Sequence, residues 1–155
     1  MTRQCRPDDG QVNSVTELNK LKIRLFVEAV WNEGRLELID ELVAADYVGH
    51  FACAGPDVAG PEGVRRLVAS LRRADPGLYI KIVDQIAEDD RVVTCWQATT
   101  AAPDARAAGR AACYAGISVI RLLAGKQVDS RTECSVSPPA RPQFGQGHED
   151  PFLGI

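Results

Sequence analysis

The stretch AACYAGISVIRLLAGKQVDSRTECSV, residues 111–136, decides the architecture. Its first part, 111–122, is apolar and rich in β-branched residues, so it reads as a long strand. Ala124-Gly125-Lys126 turns the chain, and 127–136 reads as a strand running back beside it. Successive side chains of a strand point to opposite faces. The even positions (Ala112, Tyr114, Gly116, Ser118, Ile120) are mixed in size and polarity. The odd ones (Ala111, Cys113, Ala115, Ile117, Val119) are uniformly small or apolar. One face is predicted to meet helices. The other is predicted to meet a second copy of the chain, because a monomer would leave an apolar patch in water.

Working outward, LYIKIVDQIAEDD (78–90) alternates, with Leu78, Ile80, Ile82 and Ile86 on one face. Asp89-Asp90 is a turn signal, RVVTCWQATT (91–100) is a further strand, and 101–110 is a loop. Strands joined by short turns predict an antiparallel meander. The N-terminal half is helical in pattern. Ser14 and Glu17 form an S-x-x-E capping box at a helix start. Glu17, Lys20, Arg24 and Glu28 then fall on one narrow arc, and the apolar remainder, including Phe26 and Val30, predicts a largely buried helix. Trp31 and Asn32 anchor its turn, and Gly34 stops it. Residues 36–48 read as a second helix, with Leu36, Ile39, Leu42 and Val43 apolar. After a loop over 50–63, Pro61 marks the first turn of a third helix. That helix buries Val64, Leu67, Val68 and Leu71 and exposes Arg65, Arg66, Arg72 and Arg73. Helices first and strands afterwards predict an α+β domain over 14–136, with helices on one face of the sheet. Residues 1–13 read as a loose arm and 137–155 as an extended tail.

The chain has 155 residues, enough for one domain with one core. Its net charge of −3 argues against a nucleic-acid partner. No apolar run is long enough to span a membrane, and the N-terminal stretch has no apolar leader segment. The five cysteines are scattered, with no CxxC pair, which predicts free thiols in a reduced, cytoplasmic protein. His50, in DYVGHF (46–51), is one of only two histidines. At the end of a helix it is either a proton-transfer group at a cavity lip or a cap on the last turn. Cys53 nearby lacks an orienting third group for a Cys–His pair. His50, Cys53 and Asp57 lack the spacing of a metal site, so no metal is expected.

Read together, FVEAVWNEG…LIDELVAADYVGH, GPEGVRRLVASLR, DRVVTCWQATT and GISVIRLLAGKQV resemble the SnoaL-like polyketide cyclases, which share the nuclear transport factor 2 fold. The resemblance covers roughly residues 16–134. It implies a cone: three N-terminal helices packed on a strongly curved, mainly antiparallel sheet that encloses a pocket. It implies a cofactor-independent cyclase, hydroxylase or epoxide-opening enzyme acting on a polycyclic aromatic or polyketide intermediate. His50 matches the family's histidine after DYVG. Thr132 stands where the last-strand catalytic aspartate belongs, and Ser130 and Arg131 replace the usual histidine and tryptophan. Asp129 and Glu133 are the nearest carboxylates, on the face opposite Thr132 unless a bulge turns Glu133 inward. Trp96 and Ala98 occupy about the places of the arginine and aspartate of the related limonene epoxide hydrolase. The candidate catalytic residues are therefore His50, Thr132, Glu133 and Asp129. The candidate ligand contacts are Trp96, Tyr114, Ser118, Ser130, Phe26, Val30 and Tyr47. A hydrophobic small molecule is the expected partner, with a homodimer through the outer sheet face. The competing reading is a binding protein of the same fold that sequesters such a molecule.

Overall fold

A computed structural model describes residues 9–52, 55–100 and 113–137. Residues 1–8, Cys53 and Ala54, 101–112 and 138–155 with His148 lie outside the described residues, and of the arm expected over 1–13 the part from Asp9 onward is helical instead. Helix α1 covers Asp9–Leu25 and continues as a π-helix over Phe26–Asn32. Ser14 therefore lies inside α1, past its first turn. A capping box is worth about 1 kcal/mol, too little to end a helix that its flanking residues extend. The other end is as read: Gly34 adopts φ +74°, the left-handed conformation that glycine takes without strain.

The segment 36–48 departs from the helical reading. Only a 3₁₀ turn, Leu36–Leu38, and the single turn α2, Ile39–Leu42, are helical. Strand β1 follows at once, Val43–Phe51. The apolar spacing that suggested a helix is satisfied instead by Val43 and Tyr47 packing into the core from a strand. Main-chain pairing with the far end of the chain decides it, since β1 lies parallel to the last strand. His50 is consequently a strand residue and caps no helix.

A two-residue strand β2, Val58–Ala59, leads into α3, Gly60–Ala74, with Pro61 in its first turn as expected. Then come β3 (Tyr79–Glu88), β4 (Arg91–Thr99), β5 (Cys113–Leu123) and β6 (Lys126–Ser137). The six strands lie in the order β2-β1-β6-β5-β4-β3, antiparallel except for β1 beside β6. The predicted turns hold. Asp89 has φ 50°, and Ala124 and Gly125 have φ 49° and 75°, the pair of positive values a tight two-residue hairpin turn requires.

Two bulges reset which side chains face inward. Between Ile82 and Asp84 the pairing with β4 slips by one residue. Leu78 and Ile80 face the interior, but past the bulge Ile86 points out and is 65% exposed, against the expectation that all four shared a face. The second bulge lies at Val128, where Arg121 pairs with Asp129 but Leu122 pairs with Gln127.

The core has two parts. One joins the π-helix, α2, β1 and α3 through Phe26, Val30, Ile39, Leu42, Val43, Tyr47, Val64 and Val68. The other closes the far end of the sheet through Ile23, Val92, Ile120 and Leu122. Arg72, expected in solvent, donates to the carbonyls of Trp31 (2.8 Å) and Asn32 (2.7 Å) and so caps the preceding helix end. Asn32 in turn clamps β3: its Nδ2 donates to the Ile80 carbonyl (2.9 Å) and its Oδ1 accepts from the Ile80 amide (2.8 Å). Among the described residues no helix is long and apolar enough to cross a membrane.

Candidate binding and active site

The π-helix, β1, α3 and the inner faces of β3 to β6 enclose a cavity of about 530 Å³. In the π-helix the Glu33 amide reaches back five residues to the Glu28 carbonyl (3.0 Å). This wider winding lets Phe26, Val27 and Trp31 all line the cavity. Most of the wall is aliphatic or aromatic, which suits an apolar ligand.

Polar groups on the wall are mainly hydroxyls in short chains. Trp96 fills the space over its cross-strand partner Gly116, where an added Cβ would fall 2.3 Å from the indole ring and 2.7 Å from the Glu133 carbonyl oxygen. Glycine is required at 116 because the indole takes the room of a side chain. Trp96 Nε1 donates to Ser118 Oγ (3.0 Å), and Ser118 Oγ lies 2.9 Å from Thr132 Oγ1. These groups hold three N–H or O–H donors and use two among themselves. One hydroxyl proton is left over. Tyr47 Oη and Ser130 Oγ lie 2.6 Å apart, both buried, and by the same count also keep one donor in reserve. Burial holds the Tyr47 phenol above its ordinary pKa, Asp129 adds to the rise, and the Ser130 hydrogen bond opposes it. At neutral pH Tyr47 is thus a hydroxyl donor, not a base.

Of the residues singled out from sequence, Thr132, Ser118, Ser130, Trp96, Tyr114, Tyr47 and Phe26 come together on the cavity wall. Four do not. Val30 is fully buried in the core behind the wall. His50 alternates with Tyr47 and Phe51 along β1 and so leaves the strand on the side away from the cavity. Its Nδ1 lies 2.8 Å from Asp57 Oδ1 in an exposed pair. The placement of His50 at the cavity lip is therefore corrected. Asp129 and Glu133 are exposed on the outer face, as strand parity from Thr132 requires. The bulge on β6 lies at Val128, so Glu133 stays outside.

That bulge turns in a residue the sequence reading missed. Gln127 is 3% exposed, lines the cavity, and its Nε2 has no hydrogen-bond partner. Plain alternation from Thr132 would place Gln127 on the outer face, and no local signal reveals the bulge. Asp75 was also missed. It ends α3, accepts from the Gly77 amide through Oδ1 (3.0 Å), and leaves a buried Oδ2 unpartnered. It is the one carboxylate on the cavity wall among the described residues. An Asp before Pro-Gly reads as a helix stop, which hid its second role.

Cysteine pairing is likewise corrected. Cys95 is a free thiol on the outer face, but Cys134, on the cavity wall, is held in a disulfide. A count of scattered cysteines does not reveal which of them the fold brings together.

The chain belongs to the SnoaL-like domain family, whose model matches residues 23–130. No curated protein matches the chain. Among solved structures it is similar to a candidate polyketide cyclase from Acidithiobacillus ferrooxidans, with 22% identity and a TM-score of 0.67 over 76% of this chain and 87% of that one. It is similar to IdmH, a candidate polyketide cyclase from Streptomyces antibioticus (23%, TM-score 0.65, 75% and 91%). It is also similar to AclR, a candidate hydroxylase from Streptomyces galilaeus (20%, TM-score 0.63, 77% and 90%). At these identities the likeness is one of fold, the α+β cone that the family resemblance implied.

Proposed function

We propose that this protein is a cofactor-independent tailoring enzyme of the SnoaL-like type, acting on a flat, oxygenated polycyclic or polyketide intermediate. The observation that carries the reading is the apolar cavity with the Trp96–Ser118–Thr132 chain on its wall, which keeps one hydroxyl proton for a bound oxygen. Such a fixed donor suits an oxygen that gains negative charge during reaction. In an aldol cyclisation a base takes a proton from carbon beside a carbonyl, and the charge moves to that carbonyl oxygen. The enolate carbon then bonds to a second carbonyl carbon, whose oxygen takes a proton. No atoms are lost, so product and substrate have equal mass. Asp75 Oδ2 is the base this reading assigns, and Thr132 with Ser118 the oxyanion donors.

The test pairs two near-isosteric variants with poly-β-ketone and anthraquinone-type esters, followed by mass-neutral product formation. Asp75→Asn keeps the Oδ1 bond to Gly77 and removes the base; turnover is expected to fall roughly 10²–10⁴-fold. Thr132→Val removes a hydroxyl and is expected to lower turnover roughly 10²-fold or more. His50→Ala, on the outer face, is expected to leave turnover unchanged. Tight binding with no turnover in the wild type would instead support the binding-protein reading, which the replacement of the family's last-strand acid by Thr132 favours.

A further inference from the structure

Gln127 carries a contradiction that the cavity resolves. A buried amide with an unpartnered N–H costs stability when nothing satisfies it. Yet β6 is bulged at Val128, and without that bulge Gln127 would face outward beside solvent. The fold thus turns a polar side chain away from water and into an apolar chamber, where it finds no protein partner. Rotating the amide by half a turn exchanges its ends but still leaves one of them unpartnered. Structural duty does not explain this, because Leu or Met would fill the same volume at no polar cost.

Its location says what would satisfy it. Gln127 pairs with Leu122, at the end of the sheet closed by Ile23, Val92, Ile120 and Leu122. The opposite end of β5, at Tyr114, lies about 25 Å away along the strand, taking roughly 3.3 Å per residue. Past the bulge, Ser130 is the next residue of β6 to face in, and it shares with Tyr47 one unused hydroxyl proton. Both polar groups at this end therefore have donors to offer.

We propose that Gln127 is the deep anchor of the cavity: its side-chain N–H donates to a carbonyl oxygen at the leading end of the ligand, and so fixes which end enters first. The proposal rests on the small-molecule reading above and adds the orientation of the ligand within it. A ketone oxygen only accepts, and its two lone pairs match the two donors, Gln127 and the Tyr47–Ser130 pair.

The probes are 9-fluorenone and fluorene, which share a flat tricyclic frame and differ by one carbonyl. Binding is followed by quenching of tryptophan fluorescence in the full chain. The wild type is expected to prefer the ketone about tenfold, the worth of one hydrogen bond of about 1.4 kcal/mol. Gln127→Met is expected to lose that preference while its affinity for fluorene is kept or increased. The carbonyl stretching band of bound fluorenone is expected at lower frequency in the wild type than in the variant. A thermal melt supplies the second arm: Gln127→Met and Gln127→Leu are expected to melt at or above the wild-type temperature. Lower melting in both would give Gln127 a structural role and overturn the proposal. Equal ketone preference in wild type and variant would overturn the proposal and leave the cavity reading standing. Failure of both probes to bind the wild type, beside a binding natural-type ester, would overturn the deep anchor alone; failure of all three would overturn the cavity reading with it.

Discussion

Tyr47 shows how a single side chain can be fixed in role by its surroundings. Its ring is buried between β6 and the helices, and its hydroxyl meets Ser130. Gly49 makes room for it: a Cβ there would lie 2.3 Å from the Tyr47 hydroxyl. Burial raises its pKa, so the native state favours the neutral phenol while an unfolded chain ionises near pH 10. The stability tied to this group is therefore complete below about pH 10 and is lost as pH rises through the higher native value. In a phenolate absorbance titration, one of the three tyrosines is expected to ionise last, and Tyr47→Phe to remove that phase. Persistence of the late phase in Tyr47→Phe would show that a different tyrosine is the shielded one. His50 teaches the converse at the same scale. An imidazole is chemically suited to proton transfer, but side-chain direction along β1 sends it to Asp57 and away from the cavity.

At the level of elements, the helix end at Asn32 is the joint that holds the cavity's shape. Asn32 imitates a strand by exchanging two hydrogen bonds with Ile80, and Arg72 holds the carbonyls of Trp31 and Asn32 from α3. Three elements thus meet beside Trp31, Leu78 and Ile80, all on the cavity wall. Asn32→Ala leaves the Ile80 amide and carbonyl without partners, which is expected to cost about 1–3 kcal/mol. Denaturant unfolding would measure this, and a change within error of zero would mean that water replaces the clamp. The sequence marked Trp31, Asn32 and Gly34 as the turn of this helix, because turn residues act locally. It gave no sign that Arg72, forty positions on, completes it.

Across the whole molecule the unanswered face is the outer one. Val83, Ile86 and Ile117 are 56%, 65% and 50% exposed, and Val119 and Leu123 stand on the same side of the sheet as Ile117 or beside it. A run of this kind on one sheet face is the sort of surface a second copy covers, and we propose a homodimer through it. Ile117→Lys or Val119→Lys is then expected to give monomer or aggregate in size-exclusion chromatography with light scattering. A wild-type chain that runs as a monomer at micromolar concentration would refute the proposal. Cys95 lies in the open groove of that face with Val83 and Ile117.

What the sequence determined by itself was the first and third helices, the order of the strands from Tyr79 onward, the turns at Gly34, Asp89 and Gly125, the α+β class, and the inward set Tyr114, Ser118, Ser130 and Thr132. Each follows from interactions within a few residues or from alternation along an unbroken strand. The tertiary structure alone decided the rest. It made 43–51 a strand, because its partner β6 lies some eighty residues away. It set the bulges at Val83 and Val128, because register depends on what a neighbouring strand offers. One inserted residue reverses every side chain beyond it, and by that reversal Ile86 went out and Gln127 came in.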